Sequence, residues 1–411
     1  MKLFAGILLL ATSALSQAPR QGAITGVWEG SATVHGQQVP VRLAVTGSGD
    51  ALHAALLNGP ETSAASSAVF AGDHLLVTFN YFARTLDATL ADGNLTGSFG
   101  TATTRYPIHL SQHPADSKSE GTHAQDIQGD WEIAVKSAKG ESAWLLRVES
   151  LPHSPELKAV IQRVDGDTGS LYGRWTGSSY QISHFAAAGP ALYSLAPQAD
   201  GTLLVSNLLR SDQQSLVARR PTQARAAALV GPTDPTQQTT MKDPAARFAF
   251  SFPDLSGKVV SNTDPQFDGK VVIVAIGGSW CPNCHDEAPF LESLYKQFHG
   301  RGLEIVDLSF EEADQLKDPE RLKAFISRYG LTYTVLLAGE TEQLNEKIPQ
   351  AVNLNCWPTS FFVGRDGRVK EIHAGFAGPA NPPANQALTR EVTELVERLL
   401  AEPVPSQEAL R

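Results

Sequence analysis

The sequence predicts a multi-domain chain in which two tandem antiparallel β modules precede an α/β domain. Three observations lead there. From residue 21 to about 220, apolar residues alternate at period 2 and long periodic helices are absent. Within that half, a set of short motifs recurs at a nearly constant offset. Beyond it, buried-strand and amphipathic-helix patterns alternate. A chain of 411 residues is also too long for one ordinary core.

The β half reads as follows. Val39, Val41, Leu43 and Val45 alternate, as do Leu86, Ala88 and Leu90 before the turn Asp92-Gly93. ITGVWEG around Trp28 returns as IQGDWEI around Trp131, and LHAALLNG at Leu52 returns as LKAVIQRV at Leu157. Gly72 corresponds to Gly177, and Asp92-Gly93 to Asp200-Gly201. Ordered anchors at similar offsets predict two modules, 21–115 and 124–220, each a small sandwich or barrel, or else two halves of one larger sheet. Trp28 and Trp131 are expected to anchor their cores. The histidines here are scattered, without metal-site spacing.

Residues 221–246, rich in Pro, Thr, Gln and Ala, read as a linker. From 247 to 402 the βα rhythm takes over. Val271 to Ile276 is a continuous apolar run, expected as a buried strand. A helix from Pro282 to His299 follows, then a strand over Leu303 to Leu308. Asp318-Pro319 is expected to open a helix that Gly330 ends. A strand over Thr334 to Leu337, a hairpin about Asp366-Gly367 and a final amphipathic helix through Leu388 and Leu399 complete the domain.

The N-terminus carries an export pattern. Lys2 is followed by the apolar run Leu3 to Leu15 and the small-x-small site Ala14-Leu15-Ser16, so residues 1–16 read as a signal peptide. Left uncleaved, the same segment is an N-terminal membrane anchor. The expected location is extracytoplasmic, periplasmic in a bacterium. Net charge is −10 with no long basic run, which argues against a nucleic-acid surface.

Three cysteines are too few for a disulfide scaffold in a chain of this size. Cys281 and Cys284, in SWCPNCH, enclose only Pro282-Asn283, and so short a loop constrains the unfolded chain little. C-x-x-C-H is also a haem-attachment pattern. Haem needs an axial partner, however, and the methionines are Met1 in the signal and Met241 in the linker. Cys281, after a buried strand and at the start of a helix, is placed for thiolate stabilisation by first-turn N–H groups. Cys284, one turn on, is placed to resolve a mixed disulfide. No cofactor or metal is called for.

The stretch DGKVVIVAIGGSWCPNCHDEAPFLESLY, preceded by FPDLSGK (Phe252–Lys258) and followed by NCWPTSFFVGRDGRV, resembles the exported TlpA/ResA-like branch of the thioredoxin superfamily. The resemblance covers about residues 247–402 and leaves the β half aside. It implies a protein-disulfide reductase with Cys281 as nucleophile, Cys284 as resolving thiol and a redox-active disulfide between them. It also implies a kink at Pro289 and a cis-proline loop at Trp357-Pro358-Thr359. Trp280, Pro282, Asn283, Trp357 and Thr359 are then expected to contact substrate. The implied partners are disulfide-bearing exported proteins and a membrane dithiol electron donor.

Two departures from the family pattern stand out. Ala275 occupies the position where many thioredoxins carry a buried acid, so a proton acceptor for Cys284 must come from elsewhere. Glu311 and Glu312 lie where the relatives are expected to place a glutamate, and Glu312 is favoured. His285 is expected to be a partly exposed helix residue that tunes Cys281. Cys356, two residues before Pro358, reads either as a buried small residue or as a third exchange thiol.

Two other functions compete. One is an adaptor whose β modules recruit a partner to the redox domain. The other is a peroxiredoxin-like peroxide reductase, disfavoured because the seven residues before Cys281 lack the proline of that motif.

Overall fold

The structure is a computed structural model, and it describes residues 24–112, 125–212 and 214–404. The expected signal peptide lies outside the described residues.

The β half forms two separate nine-stranded antiparallel sheets rather than two halves of one. In the first, Gly26–Val34 pairs with Gln37–Thr46 on one side and with Arg105–Ser111 on the other. The meander curls around a core in which Val39, Val41, Leu43 and Val45 all face inward. In the second sheet, eight of the strands close a ring. Gly129–Ala134 pairs with both Ala143–Ser150 and Ser215–Arg219, and Ala143–Ser150 pairs with Leu157–Arg163. Closure leaves no edge on that ring. The short strand Gly166–Asp167 stands outside it as a hairpin on Leu157–Arg163.

The recurring motif has an atomic counterpart. Trp28 Nε1 donates to the Ile24 carbonyl at 2.8 Å, and Trp131 Nε1 donates to the Ile127 carbonyl at 2.8 Å. Both indoles are buried, and in each the polar edge is satisfied four residues back, as a buried Trp requires. The two sheets touch through Phe99 and Phe185, whose rings are 4.8 Å apart.

The stretch 221–246 is more structured than the expected linker. It holds the short helices Pro221–Ala226 and Pro235–Gln238, and its Thr240–Met241 pairs with Ala351–Val352. Proline at the first helical position, with Asp234 accepting from Thr236 N–H, explains the second helix despite its low hydrophobicity.

The C-terminal domain is a five-stranded mixed sheet. Its strands are β1 (Val271–Gly277), β2 (Leu303–Glu311), β3 (Thr334–Glu340), β4 (Thr359–Val363) and β5 (Val369–Ala374), in the order β3-β2-β1-β4-β5. β1, β2 and β3 are parallel, β4 runs antiparallel to them, and β5 pairs antiparallel with β4 as the expected hairpin. Every residue of β1 is buried, which accounts for its unbroken apolar run. One face carries α1 (Pro282–Phe298), α2 (Glu320–Tyr329) and α3 (Pro382–Ala401) through Leu291, Leu322, Phe325, Val396 and Leu399. The other packs Phe248, Phe250, Phe310 and Phe361. α2 begins one residue later than expected, with Pro319 rather than Asp318 as its cap. Gly330 ends it at φ 58°, in the left-handed region that glycine enters freely.

Candidate active site

β1 delivers the chain through Gly277-Gly278-Ser279-Trp280 to Cys281, the N-cap of α1. Cys281 and Cys284 form a disulfide with Cα atoms 5.3 Å apart. Cys281 Sγ accepts from the Cys284 N–H at 3.2 Å, so the sulfur lies where the unpaired first-turn donors point. After reduction, this environment favours a thiolate on Cys281. Pro282, at the first helical position, lacks an N–H that would have had no partner there. Pro289 lies inside α1, as expected.

The loop before β4 packs against Trp280, the residue before Cys281. The Trp357–Pro358 peptide is cis. Trp357 sets its ring against Trp280 at 5.4 Å and Phe310 at 5.7 Å, and Trp280 Nε1 donates to the Phe310 carbonyl. Thr359 Oγ1 donates to the Cys356 carbonyl at 2.9 Å, so Thr359 braces this loop. The structure thus brings together Trp280, Cys281, Cys284, Trp357, Pro358 and Thr359. Pro282 is exposed, whereas Asn283 is buried and turned toward the second barrel.

Glu312 is not brought to Cys284. Its side chain is 52% exposed and ion-paired with Arg321, and it is absent from the cavity behind the resolving sulfur. Glu311 is fully buried and acts as a clamp: its carboxylate accepts from Ser279 N–H at 2.6 Å and Ser279 Oγ at 2.8 Å. Arg321 bonds Glu311 at 2.7 Å and Ser279 Oγ at 2.8 Å, completing a network that fixes the turn before Cys281. β2 continues through Glu311 and leaves Glu312 beyond the strand end.

Two other acids line the cavity, alongside Cys284, Gly277 and Tyr333. Glu287, one turn after Cys284 on the same helix, accepts from Ser360 Oγ at 2.9 Å. Burial pushes its carboxyl up to about 8. Asp307 sits on β2 directly opposite Ala275, and burial followed by the charge of Glu311 raises it to about 7. Its Oδ1 has no hydrogen-bond partner. A Cβ on Gly277 would stand 3.4 Å from Cys284 Sγ and 3.6 Å from Asp307 Oδ1, so this glycine leaves open the space between sulfur and carboxylate. The acid missing at position 275 is therefore supplied by the neighbouring strand. The i, i+3 spacing of Cys284 and Glu287 on one helix face was the available sequence signal; Asp307 had none without the strand register.

His285 is buried, contrary to the partly exposed residue expected. Phe82 of the first β module stacks on it at 4.0 Å, and Phe325 and Tyr329 meet it edge-on. Nε2 donates to the Ser279 carbonyl at 2.8 Å, leaving Nδ1 to accept from the Tyr329 hydroxyl at 3.0 Å. Burial pushes its pKa down to about 3, so the ring is neutral and brings no charge to Cys281. Cys356 is wholly buried with Val164 and Ala374, and burial raises its thiol to about 12. That is the buried-residue alternative, with a thiol poorly suited to attack. Among the described residues, no cluster of three His, Cys, Asp or Glu side chains suits a metal ion, and no helix is long and apolar enough to cross a membrane.

Comparison with known proteins places this geometry. The AhpC/TSA family matches residues 241–372. ResA, a thiol-disulfide oxidoreductase of Bacillus thuringiensis (strain Al Hakam), is 32% identical over 122 residues, 30% of this chain and 64% of that protein. The chain thus spans under two thirds of the length of that relative. ResA of Geobacillus kaustophilus (strain HTA426) is 29% identical over 167 residues, 40% of this chain and 89% of its own length. A solved thioredoxin family thiol:disulfide interchange protein from Chlorobium tepidum TLS, 24% identical, covers 39% of this chain and 100% of its own with a TM-score of 0.30. Residues 241–372 are thus similar to the AhpC/TSA family, and part of the chain is similar to the ResA thiol-disulfide oxidoreductases.

Proposed function

We propose that the chain is an exported thiol–disulfide oxidoreductase that reduces disulfides of exported proteins through Cys281 and Cys284. The carrying observation is the Cys281–Cys284 disulfide at the N-terminus of α1, beside the cis Trp357–Pro358 loop. In the reduced enzyme the Cys281 thiolate attacks one sulfur of a substrate disulfide. That S–S bond breaks, the other substrate sulfur leaves as a thiolate and takes a proton, and Cys281 holds a mixed disulfide. Cys284 then gives its one proton to the ionised Asp307 carboxylate, whose unpartnered Oδ1 faces the same gap, and attacks Cys281 Sγ. The second substrate thiol leaves, and the Cys281–Cys284 disulfide is formed. Two electrons have passed to the substrate, so a dithiol donor must restore the enzyme. A membrane dithiol protein suits an extracytoplasmic setting, which rests on the N-terminal export pattern.

The test is turnover of a disulfide-bearing protein by full-length enzyme with a dithiol reductant. Activity should vanish in Cys281→Ser and Cys284→Ser but persist in Cys356→Ser. Equal activity in Cys281→Ser overturns the reading. A recruiting role for the β half has one specific support: the second barrel bonds directly to the residue between the cysteines.

A further inference from the structure

Cys281 is 2% exposed, although an exchange nucleophile has to meet an incoming disulfide sulfur. Next to it, at Asn283 between the two cysteines, lies the second barrel, whose turn Val164-Asp165 joins Leu157–Arg163 to Gly166–Asp167. Four successive residues of this segment dock on the redox domain. Val164 packs on Cys356 and Ala374. The Asp165 carbonyl accepts from Asn283 Nδ2 at 2.9 Å. Gly166 forms a parallel bridge with Phe376, and Asp167 Oδ2 accepts from the Gly378 N–H at 2.8 Å.

The approach is backbone to backbone. A Cβ on Gly166 would stand 2.3 Å from Asn283 Nδ2 and 2.7 Å from the Phe376 carbonyl oxygen, and one on Gly375 would stand 2.3 Å from the Val164 oxygen. Glycine on both sides lets two main chains meet where side chains would hold them apart. The Asp165 carboxylate is held by Lys139, which shapes the turn from within its own barrel. On another side of the site, the first β module stacks Phe82 on His285, and Arg328 lies 3.9 Å over the Tyr81 ring.

We propose that the segment 164–167 occupies the seat of a substrate segment, so that the full-length protein is self-covered and its own barrel competes with substrate for the dithiol. Asn283 is the positioning residue for either occupant, offering its amide to a main-chain carbonyl. The substrate class that fits is an extended peptide stretch with a small residue beside its cysteine, since that is the form of the segment it displaces. This rests on the dithiol reading above.

The test labels Cys281 in reduced, full-length protein with a bulky maleimide and, separately, with iodoacetamide. It compares the unmutated chain with Gly166→Ala, which pushes the segment off Asn283, and with Asp167→Ala, which frees Gly378. In both variants maleimide labelling should rise by on the order of tenfold, as expected when a closed form holds about nine-tenths of the population. The KM for a disulfide peptide should fall with it. Maleimide labelling of the unmutated chain as fast as in either folded variant overturns the proposal. If neither variant folds, amide exchange decides: a peptide trapped on Cys281 in Cys284→Ser should speed exchange over 163–167 and 375–378, and unchanged exchange overturns the proposal. Variants that open Cys281 to maleimide yet reduce no disulfide would defeat the reductase reading while the cover stands.

Discussion

The side-chain amide of Asn283, between the two cysteines, donates to the backbone carbonyl of Asp165, 118 residues earlier in the chain. This one bond ties the redox loop to the second barrel. It makes the surroundings of the dithiol a product of three units of the chain rather than of the C-terminal domain alone.

Glu311 is the fixed point of the turn before Cys281. Glu311→Ala leaves Arg321 without its buried carboxylate and Ser279 N–H without its acceptor. Removing one partner of a buried pair costs about 3–5 kcal/mol, so urea denaturation should show a loss of that order. Glu312→Ala, which removes a half-exposed partner, should cost about 1 kcal/mol or less.

The two cavity acids make reactivity depend on proton transfer from Cys284. Replacing both, with Glu287→Gln and Asp307→Asn, should slow resolution of the mixed disulfide by about 100-fold. The intermediate then accumulates and is visible by mass spectrometry. Cys281 alkylation, which precedes the step, should change much less.

The same acids set a pH trend in stability. Both folded pKa values are raised, to about 8 for Glu287 and about 7 for Asp307, by burial. The folded form therefore holds protons that the unfolded chain has released. Their favourable contribution is complete below the unfolded carboxylate pKa, near 4, and is lost as pH rises through about 7 and 8. Thermal melts between pH 5 and 9 should fall less steeply with pH in the Gln/Asn double variant than in the unmutated protein.

His285 acts in the opposite direction. Its folded pKa is depressed to about 3 by burial, so its contribution is present above the unfolded value near 6.5 and is lost as pH falls toward 3. His285→Phe should flatten the acid limb of the stability profile. Because the ring is neutral, the same variant should leave the Cys281 alkylation profile without the loss of any titration step near pH 6.5.

The sequence carried the dithiol, the helix it caps and the repeated tryptophans as local patterns, and the cis-proline loop through the family resemblance. Cys281 as N-cap follows from strand, turn and helix within a dozen residues. Trp28 and Trp131 repeat one local bond. What was not legible depends on contacts between distant segments. Asp307 becomes the neighbour of the resolving cysteine only through the β1–β2 register that sets it opposite Ala275. His285 is buried among Phe325, Tyr329 and Phe82, the last some two hundred residues earlier in the chain. Family resemblance favours Glu312 over Glu311 and leaves Glu287 unconsidered, although the helix spacing of Glu287 from Cys284 is legible.

The central claim is that Cys281 is the thiol that meets substrate and Cys284 the one that resolves it. Reduced full-length Cys284→Ser, incubated with a disulfide-bearing protein and analysed by peptide mass mapping, tests it most directly. The account predicts a mixed disulfide on Cys281, with Cys356 unmodified in its buried site. An adduct on Cys356, with Cys281 left as a free thiol, would contradict it.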